Sequence, residues 1–553
     1  MLYPKIQLAQ SVLEILQKKG IHNIIISPGS RNAPLIIGFS NNPFFDCYSI
    51  ADERCAAFFG LGLAQQTQKP VVLVCTSGSA LLNYYPAVAE AFYSQIPMIV
   101  LSADRPLDKI DIGDGQTIRQ QNVFENHSLF NANLSEIANT ENDYLIQKAI
   151  HLSEFKKGPV HINIPFEEPL YQTLNQLDYF PSFIEFETKS DTFLDKNLLE
   201  FAQVWNQSPR KLFLVGVDYP GTLSAEVTKK IAEDKSVVVL TETTSNWHHP
   251  NFINTIDRLI TPFSDADFEN FRPNILITFG GMIVSKRIKA FLRKYQPEQH
   301  WHIDSLRAYD TFGCLSQHFE ANPQKFFELF LPLTLKTDSD YFDAIQKINQ
   351  NRIKKSHAYL QNIRFSDLKV FDLIIPKLKP FSQLQISNSS PIRYAQLIEI
   401  EPTIQVFSNR GTSGIDGSTS TAIGAAVASK IQTTLISGDI GFLYDSNALW
   451  NNYIPKNFKI ILINNGGGGI FRILPGHDET AVFRTYFETS HQLTAEHLAK
   501  MYDFNYFSAA TEHEVVENFA KLDSSNEKPS LLEIFTPMVC NESVLLNYFK
   551  FLE

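Results

Sequence analysis

The chain has 553 residues and a formal net charge of −11, because 59 Asp and Glu residues outnumber 48 Lys and Arg residues. This acidic balance disfavours nucleic acid as a partner. The length predicts three or four domains at roughly 150 residues each, and the hydrophobic fraction of 44% indicates that most of the chain can bury apolar surface. No apolar run is long enough to span a membrane, and the five cysteines include no Cys-x-x-Cys pair. We therefore expect a cytoplasmic protein with reduced thiols and no integral membrane segment.

Short apolar, β-branched runs recur along the chain, and each is followed by a turn and a helix-length segment. This alternation is typical of βαβ units. In chain order, the predicted strands are NIII, DCYS, VVLV, MIVL, VHINI, KLFLV, VVVL, NILI, QHWH, IQVF, TTLI, IILI and SLLEI. The pattern predicts an α/β protein with three doubly wound parallel-sheet domains.

Two stretches interrupt this alternation. Residues 172–197 are polar and aromatic without a clear period, and residues 335–364 have the pattern of a charged amphipathic helix. We place the domain boundaries in these stretches. The predicted domains are 1–180, 190–340 and 350–553.

Charged and reactive residues follow many of the predicted strands. In open parallel sheets, ligands bind beyond the carboxyl ends of the strands, so these turns are candidate site positions. A polar turn alone is ordinary, but the recurrence favours a ligand site. The candidates are Ser27 to Arg31, Asp52 to Arg54, Asp104 and Arg105, Lys286 and Arg287, Asn409 and Arg410, and Gly438 and Asp439.

The strongest signal is Gly438-Asp439 after one predicted strand and Asn464-Asn465-Gly466-Gly467 after the next. A glycine at a strand end lets backbone amides approach a diphosphate, and a carboxylate there can bind the bridging divalent ion. Asn465 follows Asp439 by about one helix and one strand, so it can supply a second oxygen. The alternative for the glycine run is a flexible turn.

Other phosphate motifs are absent from the sequence. It contains no Gly-Lys dipeptide, which excludes the P-loop, and no G-x-G-x-x-G after a strand, which disfavours a nicotinamide dehydrogenase. The 14 histidines show no metal-binding spacing. We expect them to be structural or exposed.

Glu53 opens the Ala- and Gly-rich helix pattern ERCAAFFGLGLA. A carboxylate at the start of a buried helix is costly unless a partner binds it. The alternative is an ordinary acidic residue at a helix N-terminus, where the helix dipole favours it.

Glu53 in the first third, the Gly-Asp to Asn-Asn-Gly segment in the last third and the glycine-poor middle together resemble thiamine-diphosphate-dependent enzymes. In that family the first domain binds the aminopyrimidine and the third binds the diphosphate. Further motifs resemble the branch of the family that acts in menaquinone biosynthesis. They are SPGSRNAPL, DERCAAFFGLGLA, TSGSALLNYYPAVAEA, LSADRP, GQTIRQ, GPVHINIPF, SNRGTSGIDGSTSTAIG, GDIGFLYDSNAL and NNGGGGIFRILP.

The resemblance implies a transferase that removes CO₂ from 2-oxoglutarate and adds the remaining four-carbon unit to isochorismate. It implies that Glu53 binds the pyrimidine nitrogen of thiamine diphosphate and that Ile415 supports the bent cofactor. Arg410 and Gly438 complete the implied cofactor contacts. The implied ligands of Mg²⁺, for which Mn²⁺ could substitute, are Asp439, Asn465 and the carbonyl of Gly467.

The resemblance also implies a cationic substrate pocket, since arginine can donate two parallel hydrogen bonds to a carboxylate. Its implied catalytic residues are Glu53, Arg31, Gln116 and Arg393. The implied substrate-binding residues are Ser30, Arg31, Arg105, Gln116, Lys286, Arg287, Ser389, Arg393, Arg410, Ile470, Phe471 and Leu474. Gly115 and the run NNGGGG depart from the patterns of relatives, so the geometry of the loop at Gly115 and the metal contact of Gly467 stay open.

The family further implies a homodimer or homotetramer whose active sites lie between chains. The middle domain is then expected to contribute only Lys286 and Arg287, and no FAD is expected. Two alternatives stay open at this point. One is another thiamine-diphosphate-dependent 2-oxo acid decarboxylase or an acetolactate synthase, and the other is a non-catalytic binding protein with the same fold.

Overall fold

Three parallel sheets follow one another along the chain in the computed structural model, which describes residues 2–186, 198–473 and 479–553. Each sheet has helices on its faces, which confirms the predicted three α/β domains. The exact domain bounds stay predictions. Predicted site residue Leu474 lies outside the described residues.

The first domain is built on a six-stranded sheet of order β3-β2-β4-β5-β7-β6, and β1 pairs with β8 in an antiparallel pair beside it. Its strands are β1 Tyr3–Pro4, β2 Asn23–Ile26, β3 Asp46–Ser49, β4 Val71–Cys75, β5 Met98–Asp104, β6 Asn131–Asn133, β7 Pro159–Pro165 and β8 Thr173–Leu174. Its helices are α1 Gln7–Lys18, α2 Ala33–Ser40, α3 Glu53–Thr67, α4 Ser79–Asn83, α5 Tyr85–Ser94 and α6 Thr140–Lys156.

The middle domain has a five-stranded sheet of order β10-β9-β11-β12-β13. Its strands are β9 Lys211–Val215, β10 Val237–Thr241, β11 Ile275–Phe279, β12 Gln299–Ile303 and β13 Gln317–Phe319. Its helices are α7 Leu198–Gln207, α8 Ala225–Ala232, α9 Ile256–Ile260, α10 Asp265–Phe271, α11 Lys286–Lys294 and α12 Pro323–Phe330. The predicted helix at 335–364 is α13, and it is shorter than predicted, at Tyr341–Asn362.

The third domain has a six-stranded sheet of order β15-β14-β16-β17-β19-β18. Its strands are β14 Gln383–Ile386, β15 Gln405–Phe407, β16 Thr433–Gly438, β17 Lys459–Asn464, β18 Asn505–Ala509 and β19 Ser530–Phe535. Its helices are α14 Asp367–Ile374, α15 Ser390–Ala395, α16 Ser418–Ser429, α17 Asp439–Tyr444, α18 Ile470–Ile473, α19 Ala481–Phe483, α20 Glu496–Met501, α21 Glu512–Ser524 and α22 Asn541–Leu552.

The first and third sheets have the same topology, which predicts where a ligand crevice lies in each. The strand order reverses between β2 and β4 in the first sheet, and between β14 and β16 in the third. Such a switch point leaves a crevice beyond the carboxyl ends of the two strands, because the chain leaves them toward opposite faces. The predicted site residues of both domains follow these strands or their neighbours.

Helices α3 and α16 pack the first domain against the third. One hydrophobic core contains residues of both helices together with residues of both sheets, including Phe58, Phe59, Ala422 and Ile423. The opposite faces of the two sheets have separate cores. No helix in the described ranges is long and apolar enough to cross a membrane.

Candidate active site

The first-domain residues of the predicted site gather at the ends of β2, β4 and β5. The backbone N–H of Arg31 donates to the hydroxyl of Thr76, which follows β4. The guanidinium of Arg105 donates to the hydroxyl of Ser77 at 2.9 Å and to the carbonyl of Gln116 at 3.0 Å. These contacts bring three predicted positions, at Arg31, Arg105 and Gln116, to one strand-end crevice.

The guanidinium of Arg31 is buried and is bound within its own domain. It donates to the carbonyl of Phe166 at 2.9 Å and lies 3.3 Å from the carboxylate of Glu168. The Nε of Arg31 is buried and has no hydrogen-bond partner. This N–H group therefore keeps one unused hydrogen-bond donor.

Glu53 begins helix α3, as predicted, and the side chain of Asp52 caps the helix by accepting from the backbone N–H of Cys55. Burial raises the pKa of the Cys75 thiol and of the Tyr84 hydroxyl. The nearby charge of Glu53 raises both pKa values further. Glu53 therefore lies close to Cys75, the last residue of β4. Because Glu53 is the first residue of α3, the capped start of the helix fixes the backbone from which its carboxylate extends.

Asp439 begins α17 at the end of β16 and is 3% exposed. Its Oδ2 accepts hydrogen bonds from the backbone N–H groups of Gly466 at 2.9 Å and Gly467 at 3.0 Å, which follow β17. Burial raises the pKa of Asp439, and the imidazole of His491, whose Nε2 lies 3.3 Å away, opposes that rise. The structure thus joins the two strand ends that the sequence pattern predicted to act together.

Asn465 supplies an unused oxygen beside this turn. Its Oδ1 is buried and has no hydrogen-bond partner, whereas its amide nitrogen donates to Asp367. An unpartnered buried oxygen is costly in the absence of a ligand. Gly438 is not crowded: the nearest atom to a Cβ built there is Cγ of Pro391 at 3.8 Å, an ordinary van der Waals contact. An oxygen donor set and an uncrowded backbone fit a divalent ion with its diphosphate.

Gly467, in the glycine run after β17, has no room for a side chain. This residue has φ +158, and a Cβ there would lie 2.8 Å from the carbonyl oxygen of Glu488. The same carbonyl accepts a hydrogen bond from the N–H of Gly468. Glu488 is itself fixed by buried Arg472, so the turn is held in place and is not a flexible linker.

A cavity of about 130 Å³ lies between the middle and third domains, and several predicted substrate-binding residues line it. Lys286 and Arg287, at the first turn of α11, line it together with Arg393 of α15 and Ile470 of α18. That the middle domain contributes only Lys286 and Arg287 to the site stays a prediction. Middle-domain residues Asp257, Val284 and Ser285 also line the cavity. They do so because the loop before α11 approaches the third domain together with the helix.

Contacts within the third domain hold Arg393, which lines this cavity, and Arg410, which lines a different cavity. Arg393 donates to the carbonyl of Ser389 at 2.6 Å, and Arg410 donates to Oδ1 of Asn388 at 2.6 Å. Burial lowers the pKa of both guanidinium groups, and the charge of Arg393 lowers that of Arg410 further. Ser389 has a left-handed backbone with φ +73, a strained conformation of the kind often found at functional sites.

Ile415 and Phe471 occupy the apolar parts of this region. The carbonyl oxygen of Ile415 lies 3.5 Å from the position of a Cβ built on Gly441, so this residue lies beside α17. The ring of Phe471 is in contact range of Gly468 and lies 6.1 Å from the ring of Phe487. Ser30 is exposed at the first-domain crevice.

Comparison with known proteins agrees with this geometry. Family models of thiamine pyrophosphate (diphosphate) enzymes match three successive segments, which are the N-terminal TPP binding domain over residues 6–129, the middle domain over 215–384 and the C-terminal TPP binding domain over 389–534. The chain is 65% identical to 2-succinyl-5-enolpyruvyl-6-hydroxy-3-cyclohexene-1-carboxylate synthase of Flavobacterium johnsoniae, with 100% of both chains covered. The chain belongs to this family of synthases.

Other synthases of the family match over similar lengths. The protein of that name from Flavobacterium psychrophilum is 64% identical with 100% of both chains covered, and that from Porphyromonas gingivalis is 36% identical with 98% of this chain and 96% of the relative covered. These matches confirm the resemblance and support a thiamine-diphosphate-dependent synthase over the decarboxylase, acetolactate synthase and non-catalytic alternatives.

Several polar residues beside the predicted site residues were not predicted from the sequence. They are Asp257 and Ser285 in the cavity, Glu242 behind α11, His491 beside Asp439, and Asp367 beside Asn465. Glu242 follows a predicted strand, so its position could have been noticed. Asp367 and His491 follow no predicted strand and carry no motif, so the sequence held no signal for them.

The predicted site residues fall into two sets along the chain, which we call half-sites. We define the first half-site as Ser30, Arg31, Glu53, Arg105 and Gln116. We define the second half-site by the predicted residues of the other two domains: Lys286, Arg287, Ser389, Arg393, Arg410, Ile415, Gly438, Asp439, Asn465, Gly467, Ile470 and Phe471. Among the residues that the structure describes, no hydrogen bond or ion pair joins one half-site to the other.

Proposed function

We propose that this enzyme decarboxylates 2-oxoglutarate and joins the remaining four-carbon unit to isochorismate, with thiamine diphosphate and Mg²⁺ as cofactors. The product would be the compound for which its relatives are named. The observation that carries the proposal is the cavity where Lys286, Arg287 and Arg393 meet beside the apolar Ile470. Both substrates carry two carboxylates, so their recognition needs several fixed cations in a chain whose net charge is −11.

Asp439, Asn465 and the carbonyl of Gly467 would hold Mg²⁺, and Mn²⁺ prefers similar oxygen ligands. The carboxylate supplies the only formal negative charge of this set, so the metal retains positive charge to offset the diphosphate. Gly438 would leave room for the diphosphate at the end of β16. Thiamine diphosphate, when bound, supplies the carbon centre that accepts the electrons left by departing CO₂.

Glu53 would hydrogen-bond the pyrimidine nitrogen of the cofactor and control the proton at that atom. A carboxylate does this well only where water is excluded, since a low dielectric strengthens the hydrogen bond. Ile415 would support the bent cofactor from the side of α17. Arg410, beside both Asn388 and Arg393, would complete the contacts to the cofactor and the substrate carboxylates.

The first half-site would bind substrate through Ser30, Arg31, Arg105 and Gln116, and the second through Lys286, Arg287, Ser389 and Arg393. Ile470 and Phe471 would form an apolar wall that excludes water, and Leu474 belongs to the same proposal. Fixed arginines stabilise charge that develops during the reaction without having to reorganise. Arg31, Gln116 and Arg393 are therefore proposed to be catalytic together with Glu53.

We further propose that each complete site forms between two chains, in a homodimer or a homotetramer. The support is that the two half-sites of one chain are not joined by any hydrogen bond or ion pair in the described ranges. A symmetric dimer would pair the first half-site of each chain with the second half-site of its partner, so that two equivalent sites form.

The proposal is tested by incubating the purified enzyme with both substrates, thiamine diphosphate and Mg²⁺, and by following CO₂ and the adduct by mass spectrometry. We expect equimolar CO₂ and adduct, and neither with Glu53→Gln. Release of CO₂ without adduct would indicate a simple decarboxylase. In a parallel incubation with pyruvate as the only substrate, formation of acetolactate would indicate an acetolactate synthase.

A further inference from the structure

A buried carboxylate stands directly behind the proposed metal ligand Asn465. Asp367, at the start of α14, is 2% exposed, and its Oδ2 accepts a hydrogen bond from Nδ2 of Asn465 at 2.9 Å. Asp367 lies about one hundred residues from Asn465 in the sequence and follows no predicted strand, which is why no motif pointed to it.

Asp367 is itself fixed from two further directions. Its Oδ1 accepts from the hydroxyl of Thr536 at 2.5 Å, and its backbone N–H donates to Oδ1 of Asn541 at 2.8 Å. Thr536 follows β19 and Asn541 begins α22, so three elements of the third domain position this carboxylate. The side chain therefore has little freedom to turn away from Asn465.

This contact decides which end of the Asn465 amide faces Asp367 and which end is left without a partner. An amide has two donors on its nitrogen and only acceptor sites on its oxygen, whereas an ionised carboxylate accepts only. Asp367 can therefore bind the nitrogen but would repel the oxygen. The oxygen is left facing away from Asp367, buried and without a hydrogen-bond partner.

We propose that Asp367 is a positioning residue, which orients the Asn465 amide so that Oδ1, and not the N–H₂ group, is presented to the divalent cation. The inference rests on the proposed function, because it takes Asn465 as a ligand of the cofactor's metal. A cation binds the amide oxygen and is repelled by the amide hydrogens. Residues that orient metal ligands in this way commonly change metal affinity by about 10- to 100-fold when they are replaced.

The test exchanges the two functional groups of the pair. In Asp367→Asn the new amide can donate to Oδ1 of Asn465 and turn the N–H₂ group of Asn465 toward the metal. We expect the apparent Mg²⁺ affinity to fall at least about tenfold, measured by calorimetric titration of the apoenzyme with Mg²⁺ at a fixed concentration of thiamine diphosphate. The readout is binding and does not depend on turnover.

The double variant Asp367→Asn/Asn465→Asp reverses the pair. Its new carboxylate has two equivalent oxygens, so one can accept from the amide at position 367 while the other faces the metal. We expect Mg²⁺ affinity within about threefold of the wild type. The control is Thr536→Val, which removes a hydrogen bond to Asp367 but leaves its carboxylate facing Asn465, and we expect a change below about threefold.

The outcomes separate the two hypotheses. A wild-type enzyme that binds thiamine diphosphate equally well without a divalent cation contradicts the proposed metal site itself. A wild type that needs Mg²⁺, together with an Asp367→Asn variant of unchanged Mg²⁺ affinity, overturns only the role of Asp367. If Asp367→Asn alone does not fold, the double variant decides, since a loss of more than tenfold there also overturns the proposal.

Discussion

Gly62 of α3 and Gly424 of α16 lie where these two helices cross, and neither position has room for a side chain. A Cβ on Gly62 would lie 2.0 Å from the carbonyl oxygen of Thr421, and a Cβ on Gly424 would lie 2.0 Å from that of Phe59. Both obstacles are backbone atoms, so only separation of the helices would relieve the clash. The contact between the first and third domains of one chain therefore depends on two glycines.

We expect Gly62→Ala to lower the free energy of unfolding by about 1–3 kcal/mol, because it overpacks this crossing. Chemical denaturation followed by circular dichroism measures the change. The matched control is Gly115→Ala, because a Cβ on Gly115 meets no atom within 4 Å and its backbone is not left-handed. Equal stability of both variants would show that the helices adjust at no cost.

Glu53→Gln should leave the fold intact and slow exchange of the cofactor's C2 proton at least about 100-fold. The substitution keeps the shape of the side chain and removes the negative charge that is proposed to control the pyrimidine nitrogen. Deuterium exchange of bound thiamine diphosphate, followed by NMR after acid quench, measures the rate. Exchange at the wild-type rate in this variant would exclude Glu53 from cofactor activation.

Arg105→Ala, Arg393→Ala and Arg410→Ala should each lower the rate of adduct formation at least about tenfold. A charge-assisted contact in a water-poor pocket contributes about 2–4 kcal/mol to the transition state, whereas an exposed ion pair contributes about 0–1 kcal/mol. Steady-state kinetics at subsaturating substrate concentrations measure the effect. The control is Arg272→Ala, outside the cavity, for which we expect a change within about twofold. Three arginine variants with control-like rates would contradict the cationic pocket.

Glu242 should make the stability of the protein depend on pH. It is 2% exposed and accepts hydrogen bonds from the N–H groups of Val284 and Ser285, just before α11. Burial raises its pKa from 4.5 to about 7. Between these values the folded state binds more protons at Glu242 than the unfolded state does. The contribution of Glu242 to stability is therefore fully present below pH 4.5 and is lost as pH rises through 7.

The measurement compares thermal unfolding of the wild type and Glu242→Gln between pH 5 and pH 8. We expect the wild type to lose stability relative to the variant as pH rises, by at most about 3 kcal/mol over the full window. The variant removes only this titrating group. If the difference in stability between the two proteins did not change with pH, the pKa of Glu242 would lie in its ordinary range.

The alternation of apolar runs and helix patterns predicted the three sheets well, and all the predicted strands are present. Strand β14, of sequence QLQI, was missed because its glutamines do not resemble a buried strand. Gln383 and Gln385 are nevertheless buried, and they donate to Gln66 and Gln65 of α3 at 2.7 and 3.1 Å. Hydrogen bonds to the first domain therefore pair the buried amide groups of these two glutamines. The local sequence around β14 contains no information about such a contact between domains.

The residues of the candidate site also include some that the sequence could predict and some that it could not. Asp439 and Asn465 were predictable because both follow apolar strands that are successive in the chain, and parallel neighbours end at one edge of a sheet. Lys286 was predictable as a cation near a strand end. Asp367 was not predictable, because its proposed role depends on a long-range hydrogen bond with Asn465 that forms only in the folded domain.

The separation of the two half-sites within one chain has a consequence for genetic complementation. Chains with Glu53→Gln and chains with Asp439→Ala should each be inactive alone. If sites form between chains, a mixed dimer contains one site built from an intact first domain and an intact third domain. Random co-assembly should then restore activity at about a quarter of all sites. If each chain instead completed its own site, the two defective populations would stay inactive however they were mixed.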